Sequence, residues 1–272
     1  MLGLLAETHV HVGAGRSAGV VDLPVARESA TGYPYIPASG LKGAFCDAFA
    51  DADSSPDTRY EVFGTQDQAG AVLFSDARIA LLPIRSLSGA YRWVTSPLVL
   101  ERLLRDMDRG PRAFAFQIPT LQEQNTGLFS AIAMLADGEN SLALEERVFR
   151  VQGVPDAAIV TALTRLIAHQ KTRERVEKQL AIVSDDDFAW FCRNALPVSA
   201  RNKLDDNKQS NNLWYEEALP PDTLLYTLVA ERSTDAMQKF MRVLTRGDRK
   251  YVQLGGNETL GQGWFAFSVI EE

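Results

Sequence analysis

The spacing of apolar and polar residues predicts that strands and helices alternate along the chain. Apolar residues at every second position indicate strands, and recurrence every three or four positions indicates helices. The first pattern predicts strands at residues 2–12, 71–83, 141–149, 223–231 and 264–270. The second pattern predicts helices at residues 39–49, 97–104, 156–166 and 233–244.

The start of the first predicted helix is marked by Ser39. Serine is a preferred N-cap residue, and Leu41 and Phe45 begin an apolar stripe directly behind it. Lys42 falls off that stripe, so we expect its side chain to face outward.

The order of the elements indicates an α+β fold. The elements do not show the regular strand–helix alternation of a doubly wound sheet. Their order fits two β-α-β-type halves better, as in a ferredoxin-like or RRM-like fold. We interpret 1–272 as one domain. Residues 105–140 are rich in Gln, Gly and Asn and show no clear period, which indicates an insertion of unassigned role. The polar stretch 196–212 lies between strand-forming residues, which predicts a protruding hairpin.

Composition places the chain among globular proteins. Of its 272 residues, 46% are apolar and 23% are charged, and a chain of this length folds without disulfides. Cys46 and Cys192 belong to no CxxC motif, which argues against a zinc ribbon or a redox dithiol. Because there is no apolar run of about 18 residues and no basic N-terminal region, we expect a cytoplasmic protein without membrane contact.

The charge of the chain limits how it can bind nucleic acid. A formal net charge of −7 opposes simple binding, because an acidic surface repels a polyanion. An RNA function therefore needs a local basic strip or contacts from backbone amides. The most basic short stretch contains Arg242, Arg246, Arg249 and Lys250, and these cations suit either a helix end or a phosphate.

A glycine-rich loop follows this basic stretch, at 255–263. Its glycines and asparagine are Gly255, Gly256, Asn257, Gly261 and Gly263. The loop does not open a helix after a strand, so the dinucleotide fingerprint fails. Two interpretations stay open, namely a tight connection between strands with positive φ angles and a concavity of amides that binds phosphate.

Three polar residues near the N-terminus have the chemistry for catalysis. His9 and His11 would share one face of a strand and suit acid–base work, but no third ligand completes a zinc set. Asp22 lies near a glycine turn, where a lone carboxylate either caps the turn or holds Mg²⁺ and orients a nucleophile. The chain shows no paired acids at a nuclease-like spacing and no GxSxG, HExxH or Walker A motif, so the sequence does not support a two-metal nuclease, hydrolase or NTPase.

Several of these segments, taken in order, resemble one family. The opening resembles CRISPR-associated RAMP proteins at His11-Val-Gly-Ala-Gly15, Val21-Asp-Leu-Pro-Val-Ala-Arg-Glu28 and Tyr35-Ile-Pro-Ala-Ser-Gly-Leu-Lys-Gly43. Later segments resemble the repeated backbone subunit of the type III-B (Cmr) effector complex, at Phe74–Arg78, Trp93–Pro97, Leu213–Pro220 and Gln253–Trp264. The ordered set spans nearly the whole chain.

The resemblance implies an architecture and a set of partners. It implies an RRM-like palm, an inserted fingers region and a thumb hairpin at 198–217. Copies of such a subunit stack along a guide RNA, which serves as a nucleic-acid cofactor, and they associate with a target RNA and with other CRISPR effector subunits. No membrane partner is implied.

The resemblance also implies roles for individual residues. It makes Asp22 the acid that cleaves target RNA at regular intervals and the residue that would hold Mg²⁺. It assigns guide-backbone binding to Lys42 and the loop 255–263, and we expect neighbouring polar and basic residues to assist them, namely Ser39, Arg246 and Arg249. It places the thumb next to the site. The thumb and near-site residues are Arg201, Lys203, Tyr215 and Glu217.

Two other functions remain open. One is a non-catalytic subunit that binds RNA in a filament of the same kind, which the sequence does not separate from the enzyme. The other is a guide-processing RAMP endonuclease, for which His9 and His11 are the only support.

Overall fold

The computed structural model describes residues 1–51, 56–109, 115–121, 131–245 and 250–270. The strands of this part of the chain are β1 (Leu2–Ala6), β2 (Tyr35–Ile36), β3 (Val72–Phe74), β4 (Ala77–Arg85), β5 (Tyr91–Thr95), β6 (Ala131–Leu135), β7 (Ser141–Leu144), β8 (Arg147–Gly153), β9 (Leu180–Val183), β10 (Val198–Leu204), β11 (Ser210–Glu217), β12 (Leu224–Thr227), β13 (Val229–Glu231), β14 (Tyr251–Gln253) and β15 (Trp264–Val269). The helices are α1 (Ala38–Asp51), α2 (Pro56–Phe63), α3 (Pro97–Met107), α4 (Ala157–Arg165), α5 (Gln170–Gln179), α6 (Asp185–Asn194) and α7 (Ala236–Leu244).

One large mixed sheet organises the fold. Its strand order is β14-β15-β1-β12-β4-β5-β9-β6-β8-β7, with β2 paired beside β4. Most neighbours are antiparallel, whereas β5 with β9 and β6 with β8 are parallel. Two short sheets, β10 with β11 and β13 with β3, lie apart from it. The α+β class predicted from the sequence is confirmed.

Helices bury both faces of this sheet. On one face the aromatic rings of α1 and α7 meet, with Phe49 stacked on Phe240 at a centroid distance of 5.6 Å and Phe45 at 5.8 Å from Phe240. On the other face, residues of α3 and α4 such as Leu103 and Leu163 are fully buried. No helix within the described ranges is long and apolar enough to cross a membrane.

The end of α4 lies directly against β1 at Gly3. A Cβ atom at this position would lie 2.0 Å from the carbonyl oxygen of Leu166. The same carbonyl accepts a hydrogen bond from Ser268 Oγ at 2.7 Å. Glycine is therefore required here by close approach of two backbones.

The first strand is shorter than predicted. It ends at Ala6 rather than at residue 12, because the backbone beyond it bonds to loops instead of a neighbouring strand. Val10 exchanges hydrogen bonds with Leu219, and the His9 carbonyl accepts from Gly263 N at 2.9 Å. The prediction that His9 and His11 share a strand face is therefore wrong.

Three predicted strands are each divided in two. Residues 71–83 form β3 and β4, which belong to different sheets, and residues 223–231 form β12 and β13 in the same two sheets. Residues 141–149 contribute to a hairpin of β7 and β8, in which Glu145 has a φ of 49°. The breaks fall where the chain passes from one sheet to another or turns within a hairpin, which the spacing of apolar residues does not record.

Residues 105–140, interpreted as an insertion, contain parts of the sheet and of a helix. Helix α3 continues to Met107, and β6 lies inside the large sheet between β9 and β8. Residues 110–114 and 122–130 lie outside the described residues. The sequence pattern also failed to identify α6 and β9, the second of which has only four residues and carries little period.

The N-terminus of α1 differs from the prediction in one respect. The helix begins at Ala38, so Ser39 lies within its first turn and is not the N-cap. Asp76, which separates β3 from β4, accepts a hydrogen bond from Ala38 N at 2.7 Å. A residue distant in sequence supplies the cap, which local spacing does not reveal.

Candidate functional site

The hairpin predicted from the polar stretch is present as β10 and β11. The two strands pair antiparallel from Val198 opposite Glu217 to Leu204 opposite Ser210, with a register shift after Lys203. At the tip, the Asp205 carboxylate accepts hydrogen bonds from two amides of the turn at 2.9 Å. Most of the hairpin is exposed, so it projects from the domain.

Asp22 lies beside the base of this hairpin. Leu23 N donates to Tyr215 O at 3.0 Å, and Glu217 N donates to Leu23 O at 3.0 Å. These bonds hold the Asp22 segment alongside β11. The Asp22 carboxylate then accepts a hydrogen bond from Tyr215 N at 2.8 Å, across 193 residues of sequence. The fold thus brings together Asp22, Tyr215 and Glu217, as the resemblance implied.

A buried ion pair lies next to Asp22. Arg27 Nη2 lies 2.6 Å from Glu217 Oε1, and the Glu217 side chain is only 8% exposed. The other carboxylate oxygen of Glu217 accepts from Val25 N at 3.0 Å. Arg27 Nη1 also donates to the carbonyls of Gly32 and Cys192. Burial raises the pKa of the Cys192 thiol, so this cysteine stays neutral.

His11 contacts the same hairpin base. Its Nδ1 lies 2.7 Å from the carbonyl oxygen of Glu217. Because a carbonyl oxygen only accepts, Nδ1 is the donor in this bond. His9, by contrast, is exposed, and its side chain is not among the described contacts of this cluster.

The glycine-rich loop packs onto the His11 segment. A Cβ at Gly255 would lie 2.6 Å from His11 O, and one at Gly263 would lie 2.1 Å from Leu254 O. Both glycines have positive φ angles, 90° and 83°. Gly256 N already donates to His11 O at 2.9 Å. These contacts favour the interpretation as a tight connection, because amides that would bind phosphate are used within the protein.

Glu216 joins the glycine-rich loop to the hairpin. Its carboxylate accepts from Asn257 Nδ2 at 2.5 Å and from Arg201 Nη2 at 3.2 Å. Asn257 has a φ of 61° and also bonds Gln262. Glu216 has no role predicted from the sequence, because its position in a polar hairpin gives no signal that the side chain is buried.

The remaining predicted site residues are more distant or outside the structure. Ser39 is exposed on α1 and Lys42 is half-buried there; the described contacts do not join either to the Asp22 cluster. Lys203 is exposed on the hairpin. Arg246 and Arg249 lie outside the described residues.

The side chains of the site do not form a metal cage by themselves. Within the described residues, no group of three or more His, Cys, Asp or Glu side chains is arranged to hold a metal ion. Asp22 is a single carboxylate, and one of its oxygens is bonded to Tyr215 N. The expected Mg²⁺ therefore lacks a protein ligand set of its own.

Comparison with known proteins shows the same family along the whole chain. The sequence pattern of the RAMP superfamily matches residues 4–266. The chain is 34% identical over 287 aligned positions to the CRISPR system Cmr endoribonuclease Cmr4 of Pyrococcus furiosus, covering 100% of this chain and 95% of that protein.

Solved structures share the fold. The crystal structure of oligomeric Cmr4 from Pyrococcus furiosus aligns with a TM-score of 0.78 and 29% identity, over 99% of this chain and 98% of that one. A chain of the type III-B Cmr-beta complex bound to cognate target RNA aligns with a TM-score of 0.74 and 22% identity, over 98% of this chain and 95% of that one, which shows the fold alone. With the sequence match over its full length, the chain belongs to the RAMP superfamily and, within it, to the family of the Cmr4 subunits of type III-B complexes.

Proposed function

We propose that this protein is the repeated backbone subunit of a type III-B CRISPR ribonucleoprotein and that it cleaves target RNA paired with the guide. The observation that supports this most is the Asp22 carboxylate, held by Tyr215 N at the base of an exposed hairpin. The full-length similarity to a Cmr endoribonuclease supports the activity, and the relative described as oligomeric supports stacking of copies. Such a complex acts in the cytoplasm of a prokaryote.

The palm of this subunit is proposed to be RRM-like. The strand order β15-β1-β12-β4 is antiparallel throughout. Helix α1 lies between β1 and β4 in the chain, and α7 lies between β12 and β15. This is the βαββαβ connectivity of ferredoxin-like folds, with other strands inserted between its parts.

Cleavage is proposed to depend on positioning of the RNA. The hairpin β10–β11, as the thumb, interrupts the guide–target duplex and displaces one target nucleotide. In the displaced nucleotide the 2′-hydroxyl oxygen is in line to attack the phosphorus of its own 3′-phosphate and loses its proton to solvent. The bond from that phosphorus to the 5′-oxygen of the next nucleotide breaks, which leaves a 2′,3′-cyclic phosphate and a 5′-hydroxyl that takes its proton from solvent. Asp22 orients that hydroxyl, and alignment supplies much of the acceleration.

Mg²⁺ is proposed to bind at Asp22 only when RNA is present. Mg²⁺ commonly takes one or two carboxylates together with substrate phosphates, so Asp22 fits as one ligand when the RNA supplies the others. The ion would neutralise charge on the phosphate. Removal of Mg²⁺ by a chelator should then stop cleavage while leaving the guide bound.

Guide binding is proposed to use the outer surface of α1 and the basic residues that follow α7 in the sequence. Lys42 and Ser39 lie on α1, and Arg246 and Arg249 supply further cations. The glycine-rich loop contributes its exposed residue Gly255, since Gly256 N and Gly261 N already donate to His11 O and Glu258 O. A shared basic groove along stacked copies makes the acidic net charge tolerable.

The experiment that tests the function compares two substitutions of Asp22 in the assembled complex. Asp22→Asn keeps an oxygen that accepts from Tyr215 N but loses the charge, whereas Asp22→Ala loses both. If Asp22 acts in cleavage, both variants bind guide and target but cut target RNA slower by orders of magnitude. If Asp22 only stabilises the loop, Asp22→Asn cuts normally and Asp22→Ala loses about 1 kcal/mol of stability.

Two controls complete that experiment. Asp186→Asn removes the same charge from an exposed position of α6 and should leave cleavage unchanged. Melting temperature and guide affinity are measured for every variant. A folded Asp22→Asn complex that cuts at the wild-type rate would favour the non-catalytic filament subunit.

A further inference from the structure

We propose that Arg27 is a positioning residue that holds the Asp22 segment against the base of the hairpin. This rests on the proposed function of Asp22 in cleavage. Arg27 lies five residues after Asp22 and does not contact it in the described structure. It acts through the carboxylate of Glu217.

Arg27 makes three contacts to three separate parts of the fold. Its guanidinium bonds Glu217 Oε1 at 2.6 Å, Cys192 O at 2.5 Å and Gly32 O at 3.1 Å. These partners belong to the hairpin base, to α6 and to the loop before β2. A guanidinium presents five donors in a fixed fork, whereas a lysine ammonium is a single flexible point charge. Only arginine can hold all three acceptors in this geometry.

Glu217 transmits this contact to the Asp22 segment. Its Oε2 accepts from Val25 N at 3.0 Å, and its own N–H donates to Leu23 O at 3.0 Å. Val25 and Leu23 are the neighbours that follow Asp22 along the hairpin base. The carboxylate is 8% exposed, and a buried carboxylate keeps such a position only while it is paired.

The consequence concerns the orientation of Asp22. Without Arg27, the Glu217 carboxylate has no cation in its buried site and turns toward solvent. Val25 N then loses its acceptor, and the segment beside β11 loosens. The Asp22 carboxylate is still present but is displaced from the RNA. A displacement of about 1 Å lowers the cleavage rate roughly a hundredfold.

The test uses two variants of Arg27 and one matched control in the assembled complex. Arg27→Met keeps the length of the side chain without charge, and Arg27→Lys keeps the charge beside Glu217. The control is Arg102→Met, because Arg102 is 22% exposed, close to the 20% of Arg27, and pairs with the adjacent residue Glu28 at 2.7 Å.

Three quantities are measured, namely target affinity, single-turnover cleavage at saturating target, and hydrogen–deuterium exchange of peptides covering 23–25 and 215–217. We expect Arg27→Met to bind target normally, to cut roughly a hundredfold slower and to exchange faster in both peptides. Arg27→Lys should give intermediate values for cleavage and exchange. Arg102→Met should cut like the wild type.

Several results would overturn the inference. It is wrong if Arg27→Met cuts at the wild-type rate, if cleavage falls without faster exchange, or if Arg102→Met loses cleavage equally. If Arg27→Met fails to fold, Arg27→Lys decides, and wild-type cleavage by that variant rejects the role. Activity of Asp22→Asn would instead reject the function of Asp22, while the exchange data would still report whether Arg27 holds the segment.

Discussion

At the scale of single residues, buried carboxylates at the hairpin base organise the candidate site. Glu216 and Glu217 are adjacent and both buried, yet they bind different partners. Glu217 pairs with Arg27, whereas Glu216 accepts from Arg201 and Asn257. Because neighbouring residues of a strand face opposite sides, one pair of acids secures both the Asp22 segment and the glycine-rich loop.

The substitution Glu216→Ala should destabilise the protein through the loop. It leaves Arg201 and Asn257, which are both only part-buried, without their shared acceptor, while Asn257 Nδ2 keeps its bond to Gln262. We therefore expect a loss of about 1 kcal/mol. Chemical denaturation of the isolated subunit measures this loss. Glu258→Ala, an exposed acid of the same loop, is the control and should change stability by less than about 0.5 kcal/mol. Equal stability of the two variants would mean that the Glu216 contacts contribute nothing.

At the scale of elements, the hairpin β10–β11 is separable from the core. Its strands pair mainly with each other, and only the base of β11 bonds to the Asp22 segment. Residues such as Leu204 and Leu213 are more than half exposed. The hairpin therefore contributes little buried apolar surface to the subunit.

Deletion of residues 202–211 tests that independence. The deletion leaves Asn212 and Leu213 as a two-residue turn between Arg201 and Trp214, which already face each other across the strands. We expect the melting temperature to change little, since the removed residues are exposed. Target RNA should lose its regularly spaced cuts in gel analysis, because no thumb displaces a nucleotide. Regular cuts by a well-folded deletion variant would remove the hairpin from the mechanism.

At the scale of the whole molecule, the distribution of charge matters more than its sum. The net charge is −7, and many arginines are committed to ion pairs inside the fold, including those with Glu217, Asp106 and Asp137. The proposed guide binding would then depend on cations that are not committed to such pairs. This predicts sequence-independent affinity that weakens steeply with salt.

The substitution Lys42→Ala should change that salt dependence. Losing one phosphate contact should lower guide affinity and reduce the log–log salt slope by about 0.7 to 0.9. Filter binding of guide RNA at several salt concentrations measures both quantities. Lys171→Ala, which removes an exposed lysine from α5, should leave the slope as it is. An unchanged slope in Lys42→Ala would exclude this lysine from the guide contact.

The sequence by itself determined the α+β class, the protruding hairpin and the positions of the helices α1, α3, α4 and α7. These features depend on local periodicity, on polar turns and on caps such as Asp156, whose carboxylate accepts a hydrogen bond from Ala158 N. Each of these signals lies within a few neighbouring residues. Its ordered motifs also determined the family, although the net charge of −7 taken alone argued against binding to RNA.

The tertiary structure alone decided where strands break and how the site is held. Asp76 caps α1 from 38 residues away, and Asp22 bonds Tyr215 N across 193 residues. The end of α4 requires glycine at position 3. Period-two patterning cannot specify such contacts, because it records which face of a strand is buried and not which distant backbone group will accept its hydrogen bonds.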